Sequence, residues 1–436
     1  MNRGAHMVGK RSWLAVAALV VSAAVWAGDG IPIGNAVFYP SVEAVYTHTD
    51  NLFLQDSSMP NGNVSDSFWE IRPMLGIEFP FKESSIRLDF GYQYKDYRTY
   101  QLSSHNTYYG DFKGNFKFAN GMALDLENHY IRGVQEVLEF DPGYEQYFSN
   151  SPFDRDAVQA GLTMPVTALN TLTVYGTYNY VHFTGDNRQQ QPFYDYDQSA
   201  GGLTWKYHYS PVSDFLVDAE YLSSRPTNTA QDVYLYINPN RKYDQQTYLV
   251  GWEGAFGKEL TGFAKAGYSK MNFKDNPFSG FSGFVSEVGL GLQTSQHTHF
   301  DLKLSREPYQ SVYNVNNYYT ATGGTLQVQQ QVSKIFFWTL GYYYQENRYP
   351  DAVVANPAVL GFFPPLEFQL TQGMVRRDDI GRAFAEIGLH PTKQLSLRFN
   401  YQHENRHSNI NYWDTQLRKP YSYAENLFSF QVQLGW

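Results

Sequence analysis

The apolar residues of this chain come one at a time. In "SIRLDFGYQYKDY", Ser85 to Tyr97, Ile86, Leu88, Phe90, Tyr92 and Tyr94 take every second position, and Arg87, Asp89, Gly91, Gln93 and Lys95 fall between them. A repeat of two marks an extended strand with two unlike faces. The pattern recurs along the chain. Trp69, Ile71, Leu75, Ile77 and Phe79 alternate with Glu70, Arg72 and Glu78. Phe215, Val217, Ala219 and Tyr221 flank Asp218 and Glu220, and Phe300, Leu302 and Leu304 flank Asp301 and Lys303. Leu395, Leu397, Phe399 and Tyr401 oppose Arg398, Asn400, Gln402 and Glu404. After residue 27 nothing approaches the roughly 18 consecutive apolar residues that a membrane-spanning helix needs. The fold must be built from two-faced strands.

The links between these strands alternate in length. Short ones read "PFKESS", "FANGM", "TALNT", "YSPVSD", "GKEL", "TSQHT", "VSKI" and "HPTKQ", with the Gly, Pro, Asn and Ser of tight turns. Between them run long polar loops, such as 50–65, 133–154, 223–244 and 405–420, the longest being about 349–375. The alternating blocks number about eighteen, each near the 9–11 residues of a tilted membrane strand. Their expected starts are Pro40, Phe68, Ser85, Tyr108, Met122, Ala157, Thr171, Ser199, Asp214, Thr247, Leu260, Phe284, Thr298, Thr320, Ile335, Arg382, Gln394 and Glu425. The block at Thr320 is polar on both faces, the one at Ser199 is Gly-rich, and Pro73 interrupts a third, so sixteen strands is the alternative count. An even number with alternating links puts every short turn, and both chain ends, on one side.

A soluble sandwich also has two-faced strands, with the apolar face inside. So many aromatic-rich strands would demand an implausibly wide core: 17% of residues are Phe, Trp or Tyr, while the mean hydropathy is only −0.47. In lipid the assignment inverts. Every backbone group must be paired, so the sheet closes on itself, apolar residues face acyl chains, and charged residues face enclosed water. The expected fold is all-β: a transmembrane antiparallel up-and-down barrel with short periplasmic turns and long outer loops. Its lumen is expected to be lined by Glu70, Arg72, Glu78, Arg87, Asp89, Lys113, Lys117, Asp125, Glu127, Asp218, Glu220, Asp301, Lys303, Glu386 and Arg398. Lys95 belongs to the same inward set. Tyr92, Tyr94, Tyr97, Tyr178, Tyr180, Tyr342 and Tyr344 cluster toward the long-loop ends, where an interfacial belt belongs.

The N-terminus carries its own signal. Lys10 and Arg11 precede the apolar run Trp13 to Val25, and Ala27 supplies the small residue of a cleavage site. Residues 1–27 read as a secretory signal, 28–39 as a periplasmic N-terminal segment and 40–436 as the barrel. Without Arg3, Lys10 and Arg11, 30 Lys and Arg remain against 42 Asp and Glu, a net charge of −12 that argues against nucleic acid. Phe428, Phe430 and the terminal Trp436 end the chain on an alternating aromatic strand, the kind of signal the barrel-assembly machinery reads. The partners this implies are that machinery, outer-membrane lipid and lipopolysaccharide. There is no cysteine. His129, His182, His208, His299 and His403 are scattered, and neither "GxSxG" nor "HExxH" occurs. No embedded enzyme, cofactor or metal site is indicated.

The opening of the barrel, "PSVEAVYTHTDNLFL", resembles a family of β-barrel porins in which a "DN" pair follows the first strand; Asp50 and Asn51 carry the likeness. Members of that family are often tied to exopolysaccharide synthesis and export. The resemblance implies a channel that exports or conducts a polysaccharide, with periplasmic export proteins as partners. The inward charges are of both signs, which points to a neutral or weakly charged glycan. The alternative is a general or substrate-specific nutrient-uptake porin. The apolar stretch Val353 to Phe368 is a candidate for a loop folded into the lumen, set against lipid, or bound to a partner.

Overall fold

A computed structural model describes residues 29–58, 63–134, 152–184, 195–227, 242–274, 279–311, 316–352, 373–410 and 421–436. The proposed signal peptide and the stretch Val353 to Phe368 lie outside these residues. Nineteen strands are present: β1 (Ile31–Ile33), β2 (Ala36–Thr49), β3 (Asp66–Pro80), β4 (Ser85–Tyr97), β5 (His105–Lys117), β6 (Ala123–Val134), β7 (Pro152–Thr167), β8 (Asn170–Phe183), β9 (Tyr196–Ser210), β10 (Ser213–Pro226), β11 (Tyr243–Phe256), β12 (Leu260–Phe273), β13 (Phe281–Gln293), β14 (Thr298–Gln310), β15 (Tyr318–Gln331), β16 (Phe336–Ala352), β17 (Val375–Leu389), β18 (Leu395–Ser408) and β19 (Tyr423–Gly435). From β2 onward each strand pairs antiparallel with the next, and β19 pairs with β2, from Leu427 opposite Thr49 to Gly435 opposite Ser41. The sheet is therefore a closed barrel of eighteen strands.

Closure follows from the sequence pattern. An open sheet would leave an edge of unpaired backbone groups in hydrocarbon. The weak blocks all join. β9 and β15 pair on both edges along nearly their whole length, so the count is eighteen. Pro73 lies opposite Val42 on the β2 side, while the β3–β4 ladder lacks pairs at Arg72 and Pro73. The eighteen barrel strands, β2 to β19, run from 12 residues in β6 to 17 in β16, longer than a bilayer requires, so they project beyond it. β1 and the start of β2 both fall within residues 28–39.

β1 has a particular place. It pairs with Ala36 to Phe38 on the β2 edge opposite β3, where β19 has already ended at Ser41. It thus continues the line of the last strand. The Trp436 N–H donates to the Pro40 carbonyl at 3.2 Å, and Lys393 in the β17–β18 turn pairs with Asp29 at 2.7 Å.

Candidate functional site

Residues opposed across an antiparallel pair share a face, so the register fixes what points inward. Glu70 lies opposite Lys95, Glu78 opposite Arg87, and Arg87 in turn opposite Lys113. Asp89 faces Asp111, Lys113 faces Glu127, Asn115 faces Asp125, and Lys117 faces Ala123. Across the barrel, Asp218 faces Thr204, Glu220 faces Thr247, Asp301 faces Gln327 and Lys303 faces Gly289. Glu386 faces Asn400, Arg398 faces Gln431, and Arg72 faces Glu43. Traced round the ring, all fifteen positions share one face. The other face carries the exposed apolar side chains, among them Trp69, Val250, Phe284, Leu326 and Leu340. Tyr92, Tyr94, Tyr178, Tyr180, Tyr342 and Tyr344 are on that outward side. Tyr97 is not: it points inward and is 2% exposed, because it stands three residues on from Tyr94, an odd step that puts it on the opposite face of the strand.

Some of these charges meet. Arg72 bridges Glu43, at 3.1 Å, and Glu70. Glu70 also accepts from Gln93 at 2.9 Å and pairs with Lys95 at 3.4 Å, while Gln431 donates to Glu43 at 2.8 Å. The result is a polar brace running from β19 across β2 and β3 to β4. Arg87 binds Asp89 through Nε at 2.8 Å, and its guanidinium lies 4.9 Å from the Tyr39 ring centroid. On the far wall the Tyr175 hydroxyl donates to Glu220 at 2.9 Å, and Asp301 takes bonds from His299 at 2.9 Å and Gln327 at 3.1 Å. The fifteen do not form one cluster.

A second set of inward charges was not among those expected. Asp378 is completely buried and accepts from Arg376 Nη2 at 2.8 Å and Arg406 Nη2 at 2.6 Å. Arg376 lies 4.6 Å from the ring centroid of Tyr349 and 4.2 Å from that of Tyr421. Next toward the periplasm, Glu404 holds Arg382 and the Tyr423 hydroxyl, and Glu425 accepts from Thr49 at 2.7 Å. In "VRRDDI" both faces carry charge, so alternation of hydropathy disappears there and the strand reads as loop.

The inward face is also less uniformly wet than the alternation implies. Its outer half is a packed collar: Ile131, Phe153, Val181 and Phe183 form one buried cluster, and Tyr243, Leu249, Met271, Phe281 and Val285 another. Leu52, next to the DN pair, packs on Phe68 and Tyr97. Nearer the periplasm, aromatic rings lie over glycines of the adjacent strand: Phe263 on Gly289, Phe384 on Gly341 and Phe337 on Gly388. Lying flat, such a ring covers the wall without filling the bore. Gly341→Val would push the Phe384 ring inward. Its expected result is a lower single-channel conductance in a barrel that still folds, read in planar bilayers against heat-modifiable gel migration. Unchanged conductance would mean this ring does not border the path.

The DN pair sits at the seam where the chain's two ends close the ring. Asp50 accepts from the Asn426 N–H and from Asn426 Nδ2, both at 2.7 Å. Asn51 is fully buried. Its Nδ2 donates to the Gln55 carbonyl at 2.7 Å and the Ala424 carbonyl at 2.9 Å, and its Oδ1 accepts from the Gln55 N–H at 3.2 Å. The pair does cap β2, and it also ties β2 to β19. Phe428, Phe430 and Trp436 all stand exposed on or beside the outward face of that last strand. In the periplasmic turn between β17 and β18, burial, and secondarily the Arg398 charge, hold His390 below the usual histidine range.

Comparison with solved structures returns proteins of Pseudomonas aeruginosa. OccK9 (OpdG) is 12% identical, with 93% of this chain and 99% of that one covered and a TM-score of 0.48. OccK2 (OpdF) is 10% identical over 92% and 98%, also at 0.48. The siderophore receptor PirA is 9% identical over 91% and 80%, at 0.45. Likeness at this level carries no conclusion about solute or direction. No curated protein matches the chain. A family model described as "Putative beta-barrel porin 2" matches residues 24–420. The chain belongs to that family, and it is a β-barrel porin of the outer membrane.

Proposed function

We propose that the barrel is a passive channel for small polar solutes, of the nutrient-uptake kind, in preference to a conduit for a polysaccharide. The observation that carries this is the packing of the outer half of the inward face. Ser269, Asn347, Asp378 and Ile380, on the three strands β12, β16 and β17, are all at 0% exposure. A polymer needs a continuous bore wide enough for its rings and their water. The collar of apolar side chains and buried ion pairs supports a constricted path. Toward the periplasm, Lys113, Lys117 and Lys303 are exposed on the inward face, as befits a hydrated vestibule. Charges of both signs along the wall favour polar solutes over strongly anionic ones. Inward charges held in pairs keep their geometry and discriminate by shape and hydrogen bonding more than by net field.

The test is solute flux. Protein reconstituted in planar bilayers is expected to conduct ions, and loaded liposomes are expected to swell in monosaccharides or amino acids and not in dextran. Dextran permeation at the monosaccharide rate would restore the polysaccharide reading. A barrel that is folded by circular dichroism and still fails to conduct would refute the channel itself.

A further inference from the structure

Just above the outward tyrosines, on the outer side, neighbouring strands carry three arginines on the lipid-facing surface. Arg306 stands on β14, Arg348 on β16 and Arg377 on β17. Arg348 and Arg377 are directly opposite each other in the β16–β17 pair. Among the described residues, no other outward strand pair sets two cations face to face. Their side chains are 64% and 51% exposed. One row lower, Arg306, Thr322, Glu346 and Asp379 lie level across four strands, and Arg306 donates to Thr322 at 2.9 Å.

Directly opposed like charges repel. Here both rows contain such a pair, Arg348 with Arg377 and Glu346 with Asp379, and diagonal contacts relieve them in part. Glu346 takes Arg348 and, at 3.0 Å, Arg377; Asp379 takes Arg377 at 3.4 Å and the Tyr344 hydroxyl at 2.7 Å. Three guanidiniums stand against two carboxylates, and the carboxylates are the less exposed, at 13% and 34%. The surface offered outward is therefore guanidinium. Elsewhere on this rim cations pair singly with acids: Arg132 with Asp154 at 3.5 Å and Lys274 with Asp244 at 2.8 Å.

What lies below the arginines says what their partner is. Tyr342 is 52% exposed, Tyr344 42%, Leu340 50% and Leu326 55%. These face acyl chains, with the tyrosines at headgroup level. An occupant must carry hydrocarbon beside them and negative charge one to two residue rows higher. Guanidinium forks match phosphate oxygens bidentately and resist full hydration, which suits an interfacial site. We propose that Arg306, Arg348 and Arg377 bind the phosphate groups of an outer-leaflet glycolipid, anchoring the β14–β17 side of the barrel to it. This site is independent of which solute passes through the lumen.

The experiment uses the full barrel in phosphatidylcholine vesicles, titrated with bisphosphorylated lipid A and with the same lipid A stripped of phosphate. Wild type is expected to bind the phosphorylated form at least about tenfold more tightly, and Arg348→Gln/Arg377→Gln to weaken that binding about 30-fold, the scale for two basic residues at an anionic surface. Lys274→Gln should bind as wild type does, and ion conductance should be the same in all three proteins. Equal affinity for the two lipid A forms would overturn the proposal, and so would wild-type binding by the double variant. Displacement of the lipid by millimolar inorganic phosphate would show a free-anion site and overturn the glycolipid assignment.

Discussion

Asp378→Ala is expected to cost about 3–5 kcal/mol, the largest loss of any single substitution in the wall. The carboxylate is fully buried between Arg376 and Arg406, themselves 1% and 2% exposed. Removing it leaves two guanidiniums facing one another where their shared acid stood. Desolvated charge is tolerable only with its partner in place. Asp378→Asn keeps the shape and loses the charge, so it should fall between alanine and wild type. Asp379 is the internal control. It is the next residue along β17, faces outward with its side chain 34% exposed, and its loss should cost less than about 1 kcal/mol. Urea titration of the refolded barrel, followed by tryptophan fluorescence and heat-modifiable migration, reads both. An Asp378→Ala protein within 1 kcal/mol of wild type, by the scale of exposed pairs, would show that the buried triad is not what holds this wall.

Asn51→Ala should be the second most damaging change, at about 2–4 kcal/mol, since it leaves buried backbone groups at the seam without their partners. Asp50→Ala should cost about 1–3 kcal/mol, the range for charge-assisted hydrogen bonds. The sharper measurement is a double-mutant cycle between Asp50 and Asn426, which are 376 positions apart in sequence. A coupling of about 0.5–3 kcal/mol is expected if the two side chains act as one clasp. Zero coupling would reduce the DN pair to a local turn cap. The same variants are expected to yield a smaller heat-modifiable fraction on refolding, because the seam joins the two chain ends and closes last in any route that zips hairpins in order.

The barrel was legible because lipid and backbone chemistry leave few solutions for alternating strands. All eight short turns between β3 and β18 fall where Gly, Pro, Asn and Ser gather, and the strand starts nearest those turns are the best placed. At the other end the starts slip: β17 begins at Val375, where the sequence reading began at Arg382. Above the bilayer a strand has polar surroundings on both faces, so alternation fades although hydrogen bonding continues. The same cause hid Arg376 and Asp378. That the fifteen charged positions share one face was readable from parity alone. Their partners were not: Glu43 meets Arg72 across the β2–β3 pair, and it meets Gln431 only where the chain's two ends come together. Nor does alternation distinguish an inward Phe that packs a collar from an outward one that meets lipid, as Phe153 and Phe183 show.

The short first strand sets a mechanical limit. Because β1 fills the berth on β2 just past the last residue of β19, the terminal strand has nowhere to slide toward the periplasm. A slip of two residues would preserve which side chains face lipid, so patterning alone does not forbid it. It would change the stagger of the ring, and stagger and strand number together fix a barrel's girth. Three residues at the rim thus act as a doorstop on the circumference.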